Sequence, residues 1–119
     1  MIDVLKQLFS KVTYQQHMPQ EKFYHAILQI IFDLAGVKVQ SEYLTSHGRI
    51  DLVLELPKYM YIIEAKLNKS PELALAQIEE KRYWETFLKL GKPIKLLGLS
   101  FERTSGKFDI TYGLKDLLL

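Results

Sequence analysis

Gly48-Arg49-Ile50-Asp51-Leu52-Val53-Leu54-Glu55-Leu56, then Pro57-Lys58, then Tyr59-Met60-Tyr61-Ile62-Ile63-Glu64-Ala65-Lys66, is the stretch on which the fold turns. Both runs are rich in β-branched, aromatic and leucine residues, the composition of strands. The short connection with Pro57 makes them an antiparallel hairpin. With Glu55 set across from Met60, the register carries Asp51 to a place opposite Glu64. Side chains alternate faces along a strand, so Glu64 and Lys66 point one way and Ala65 the other. Two carboxylates and one ammonium then share one small patch.

The flanking segments supply helices to cover such a sheet. Ile2, Leu5, Leu8, Phe9 and Val12 recur at helical spacing over residues 2–13. Met18-Pro19 opens a second helix, because proline is tolerated in a first turn. Its apolar stripe reads Phe23, Ile27, Ile30, Ile31 and Leu34, and Gly36 stops it. Residues 37–44 read as a strand before the Ser46-His47-Gly48 turn. Ser70-Pro71 caps and starts a long helix, which the pattern carries to Leu90, with Gly91 and Pro93 ending it. Strands over 94–101 and 107–112 surround a Thr104-Ser105-Gly106 turn, with a C-terminal turn of helix beyond. The order α, α, β, β, β, α, β, β is that of an α/β or α+β sheet covered by helices, and excludes a bundle or a sandwich. No repeat, low-complexity tract or Gly/Ser linker divides the chain. It reads as one domain over 1–119, with an N-terminal helix and lead-in at 1–17, a core at 18–101 and a C-terminal strand and tail at 102–119.

At 119 residues, 48% hydrophobic and 25% charged, the chain has the composition of a soluble globular domain, which sets aside disorder and collagen. No stretch approaches the roughly 18 apolar residues of a membrane helix, and no membrane partner is expected. Met1-Ile2-Asp3-Val4-Leu5-Lys6 lacks the layout of a secretory signal. There is no cysteine, hence no disulfide and no thiolate metal site, and a cytoplasmic location is expected. Sixteen Lys and Arg against fourteen Asp and Glu give +2, which neither demands nor excludes nucleic acid. There is no G-x-x-x-x-G-K-[ST] run, nucleophilic serine motif or paired-histidine metal motif.

Carboxylates facing each other destabilise a sheet unless something compensates. A divalent cation does so: Mg²⁺ keeps several waters and is commonly held by one or two carboxylates plus a substrate phosphate. Lys66 beside it can stabilise charge on a phosphoryl group or orient an attacking water. The spacing alone equally allows Asp51 and Glu64 to sit at strand ends in solvent, neutralised by Lys66. Glu21 stands in a first helical turn, where the helix dipole favours an acid whatever its function. His25, with no second histidine nearby, is left out of the site. Gln77, among Leu73, Ala74, Ala76 and Ile78, is expected to face a hydrogen-bonding partner. Arg49 reads as a packing residue on the opposite face, and Trp84 and Phe87 as core. Lys69, Lys81, Arg82, Lys89, Lys92 and Lys95 enrich the second half in positive charge that can follow a phosphate backbone.

Together these residues resemble the PD-(D/E)XK nuclease superfamily, the restriction-endonuclease-like fold. The likeness is closest to the bacterial branch found as a C-terminal domain behind AAA-type ATPase modules. It is carried by Glu21-Lys22-Phe23-Tyr24-His25, Gly48-Arg49-Ile50-Asp51, Ile63-Glu64-Ala65-Lys66, and Ala76-Gln77-Ile78 with Lys81 and Tyr83, over residues 18–101. It implies an αβββαβ core, a central mixed sheet flanked by helices, with the first helix as an N-terminal addition. It also implies Asp51, Glu64 and the backbone carbonyl of Ala65 as metal ligands, Lys66 as the catalytic lysine, and Glu21 and Gln77 as auxiliary residues. Mg²⁺ or Mn²⁺ is the implied cofactor and DNA the implied partner and substrate, through phosphodiester hydrolysis. An ATPase domain of the same or another chain, and a second copy of this chain, are further candidate partners. The alternative is a catalytically silent nuclease-fold module that binds nucleic acid or a partner domain. A third reading is a general α/β interaction domain whose acidic pair is accidental. Two departures stand out. Ile50 replaces the proline of the superfamily's name, at a position that varies widely. Lys81, not tyrosine, lies four residues after Gln77, so the positioning role of Gln77 does not carry over directly.

Overall fold

Strand-forming runs in the middle and end of the chain pair into one mixed sheet whose strand order follows the sequence. A computed structural model describes residues 2–10, 21–104 and 107–117. Its elements are α1 (Ile2–Ser10), α2 (Glu21–Leu34), β1 (Lys38–Thr45), β2 (Gly48–Glu55), β3 (Met60–Leu67), α3 (Pro71–Lys81), a 3-10 helix (Tyr83–Leu90), β4 (Ile94–Thr104) and β5 (Lys107–Asp116). Strands β1, β2 and β3 form an antiparallel meander; β4 lies parallel to β3, and β5 returns antiparallel to β4. From α2 to β4 the order is αβββαβ, the α/β arrangement that the resemblance implies, with α1 added in front. Among the described residues no helix is long and apolar enough to cross a membrane.

The sheet is buried on both faces because β2, β3 and β4 carry apolar residues at nearly every position. One face packs Leu52, Ile63, Ala65 and Leu99 against Leu5, Phe9, Tyr24 and Leu28 of α1 and α2. The other packs Val53, Ile62 and Leu96 against Ile78, Tyr83 and Phe87, and half-buries Trp84. Helix α2 is rotated from the expected stripe: Tyr24, Leu28 and Phe32 point inward, whereas Ile30 and Leu34 are 56% and 84% exposed. Apolar residues at both 23/27/31 and 24/28/32 leave the centre of the stripe undecided by periodicity. Tyr24 decides it by stacking on Phe101 at 4.7 Å and lying 6.0 Å from Phe9.

Two other expectations are corrected. Ser70 does cap α3, its hydroxyl accepting from the Leu73 N–H at 3.2 Å, with Pro71 at the first position. The helix does not reach Leu90, however; Arg82 adopts a left-handed conformation (φ +52°) and a 3-10 helix follows. The expected C-terminal turn of helix is instead the end of β5, which pairs as far as Asp116 with Lys95. The Met18-Pro19 helix start, Val12 and the turn at Ser105-Gly106 lie outside the described residues.

Helix α3 runs over a floor without side chains. Glu64 pairs with Gly98, and Gly98 with Gly113, in one row across β3, β4 and β5. A β-carbon at Gly98 would collide with the Pro71 carbonyl and come within 3.0 Å of the Leu75 backbone nitrogen; one at Gly113 would lie 2.7 Å from Leu75 Cδ1. Backbone cannot move aside as a side chain can, so Gly98→Ala is expected to destabilise the protein by about 2–3 kcal/mol, as overpacking does. Urea denaturation checks this. A change below roughly 0.5 kcal/mol would show that the helix can ride up without loss.

Candidate active site

The hairpin register is the expected one from Glu55↔Met60 to Leu52↔Ile63. There the ladder stops, so Asp51 is not paired directly across from Glu64. On the other side of β2, Ser41↔Leu52 and Tyr43↔Ile50 flank an omitted pair at Glu42, whose φ is +50°. The break turns Ile50 to the same core as Val53 and leaves β3 without a backbone partner beyond Ile63 on that side.

Side chains take over the backbone groups so released, as burial requires. The Ala65 N–H donates to Asp51 Oδ2 at 2.9 Å. The Ala65 carbonyl accepts from His25 Nε2 at 3.0 Å, and that nitrogen also lies 3.3 Å from Asp51 Oδ2. Because a carbonyl can only accept, Nε2 is the protonated nitrogen here. The Leu67 N–H reaches Glu21 Oε2 at 3.4 Å. Glu21 and His25 are one helical turn apart on α2, so one face of that helix borders the opened strand edge.

Glu64 projects from the other face of β3, only 2% exposed. The Gln77 amide donates to its Oε2 at 2.7 Å, and Lys66 Nζ lies 3.6 Å from the same oxygen. Its second oxygen, Oε1, is buried and has no hydrogen-bond partner among the described residues. Burial first, then the charge of Asp51, pushes the Glu64 carboxyl up to about 8, against the pull of Lys66. Asp51 is raised as well, chiefly by burial, while His25, the Ala65 N–H and Lys66 oppose the rise. Tyr83, 2% exposed, borders the same group. Its phenol is raised by burial, lowered by a hydrogen bond from Gln77, and raised again by Glu64 and Asp51.

The fold thus brings Asp51, Glu64, Lys66, the Ala65 carbonyl, Glu21 and Gln77 to one place. Arg49 is neither there nor in the core: its side chain is 59% exposed, 3.9 Å from Glu42. His25 and Tyr83 belong to the site although the sequence reading left them out. For His25 the signal was its spacing of four from Glu21. For Tyr83 it was its place six residues after Gln77, among the residues that carry the resemblance; its inward turn depends on the break at Arg82.

Among the described residues no three His, Asp or Glu side chains form a preformed cation cage. Two mutually repelling carboxylates, one with an unpartnered buried oxygen, and a main-chain carbonyl are nonetheless the partial oxygen set that suits Mg²⁺, which retains water. A β-sheet opened at an acidic pair beside a lysine, on an αβββαβ core, is the layout of a nuclease-type domain. A model of the PD-(D/E)XK nuclease superfamily matches residues 19–109, and the chain belongs to that superfamily. Its members generally use divalent metals. The chain is also 34% identical over 87 residues to an "Uncharacterized protein in vnfD 5'region" of Azotobacter chroococcum mcd 1. That match covers 71% of this chain and 17% of the relative's length.

Proposed function

We propose that the chain is a metal-dependent nuclease domain that hydrolyses phosphodiester bonds of DNA, with Mg²⁺ or Mn²⁺ as cofactor. The observation that carries this reading is the buried, unpartnered Glu64 Oε1 next to Asp51 and Lys66. Asp51, Glu64 and the Ala65 carbonyl would hold the cation. When bound, a divalent cation offsets the repulsion of the two carboxylates and lowers the pKa of an attacking water. Gln77 holds Glu64 by its Oε2. His25 holds the Ala65 carbonyl and Asp51 side by side, and Glu21 secures the end of β3. Lys66, its side chain 15% exposed and its Nζ 3.6 Å from Glu64 Oε2, would stabilise the charge that grows on a phosphoryl oxygen in the transition state.

The test is cleavage of single-stranded, duplex and branched DNA with Mg²⁺, with Mn²⁺ and with chelator. Cleavage of at least one substrate, lost in chelator and in Asp51→Asn, is the expected result. Binding without cleavage of any of the three would put a silent nucleic-acid-binding module in place of the nuclease.

A further inference from the structure

The sheet ends at β5, and among the described residues no strand pairs with its outer edge. Which of its backbone groups face outward follows from three contacts. Pairs in an antiparallel ladder alternate between those that exchange hydrogen bonds and those that do not. The Leu117 N–H donates to the Ile94 carbonyl at 3.0 Å, so the odd-numbered residues of β5 serve β4. The Phe101 carbonyl, opposite Ile110, turns the other way and accepts from the Asn68 N–H at 2.8 Å. The Ile110 N–H, left over, donates to the Asp109 carboxylate at 2.8 Å, which Lys6 holds at 3.1 Å. Tyr112 and Leu114 therefore present their main-chain groups outward, and these two residues are 53% and 48% exposed. Such an edge is a template for another strand.

A two-fold axis normal to the sheet sets residues of the same face across from each other. Among the symmetric registers that pair at least half of β5, the one centred on Tyr112 alone puts opposite charges face to face: Asp109 of each copy meets Lys115 of the other. Tyr112 then meets Tyr112, Leu114 meets Ile110, and the outward main-chain groups of these residues are the ones exchanged. Centring on Thr111 instead would set Lys107 against Lys115. We propose that β5 binds β5 of a second copy in the Tyr112-centred register, so that the two sheets run on as one. Asp109 and Lys115 each leave a surface partner in their own chain, Lys6 and Glu79, for one across the interface; exposed pairs of that kind contribute little.

Sedimentation equilibrium on the full chain tests this, as wild type, Tyr112→Pro, Asp109→Lys, Lys115→Asp and the double exchange, with thermal melts to check the fold. Wild type should be a dimer. Proline is tolerated at an edge position whose N–H faces solvent. Tyr112→Pro deletes one hydrogen bond from each copy, so the dimer should weaken by about tenfold or more. Either single exchange should weaken it by about tenfold as well, by setting like charges opposite each other. The double exchange should restore wild-type association. That rescue cannot come from within one chain, where Asp109→Lys faces Lys6 and Lys115→Asp faces Glu79. A wild type that is monomeric at millimolar concentration, a dimer indifferent to Tyr112→Pro, or a double exchange no better than its singles overturns the proposal. So does a Tyr112→Pro chain that fails to fold, since its N–H would then be serving β4.

Discussion

Lys66→Ala is expected to slow metal-dependent DNA cleavage by on the order of 10²-fold or more, the loss typical of a preorganised charge stabiliser. DNA affinity should change far less. One ammonium is a single contact among those that set salt-dependent binding, whereas the negative charge it meets grows only in the transition state. The comparison belongs at saturating Mn²⁺, because Lys66 also lies 3.6 Å from Glu64 Oε2 and helps that carboxylate ionise. Single-turnover rates and direct binding isotherms on the same DNA separate the two effects. Equal losses in rate and affinity would make Lys66 a binding residue and leave the chemistry without a charge stabiliser.

Glu64→Gln is expected to abolish metal-dependent cleavage while stabilising the metal-free fold. With a folded-state pKa of about 8 against an ordinary 4.5, Glu64 keeps its proton in the folded chain over a range where the unfolded chain has lost it. The folded state then binds more protons, so stability is full below about pH 4.5 and falls as pH rises towards 8. Asp51 is shifted in the same direction. The metal-free wild type should lose on the order of 2 kcal/mol between pH 5 and pH 8. Glu64→Gln should flatten most of that slope, since its amide has no proton to give up. Thermal melts across that range, in chelator, are the check. A flat wild-type profile, or a Glu64→Gln variant less stable than wild type at pH 8, would show that Glu64 is accommodated as a carboxylate by the fold itself.

The elements that could be read from sequence were those whose period and punctuation agree. The short connection at Pro57 between two strand-forming runs made the hairpin of Leu52–Glu55 with Met60–Ile63 legible, and Ser70-Pro71 starts α3 by local chemistry alone. What escaped was set by competition between distant segments. The stripe of α2 was ambiguous until Tyr24 met Phe9 and Phe101. Arg82 has no local signature of a helix end, and its left-handed turn places Tyr83 in the core opened by Ile78 and Phe87. Within the candidate site, Asp51 and Glu64 were legible as a juxtaposition, but the departure from strict pairing was not. A pattern of alternating residues carries no record of a ladder that stops at Leu52. His25 was missed for the same reason: its partner is a main-chain carbonyl that becomes available only when the strands part.

Gly98, paired directly with Glu64, makes the strand beside the site a gauge for its geometry. Gln77 reaches Glu64 across 2.7 Å, and the height of its helix above the strands is set at Gly98, where a methyl group would meet the Pro71 carbonyl and the Leu75 backbone nitrogen. Lifting α3 by the thickness of one methyl would stretch that contact beyond hydrogen-bonding range. The Gln77–Glu64 contact should therefore fail before the fold does when a small side chain is introduced at Gly98.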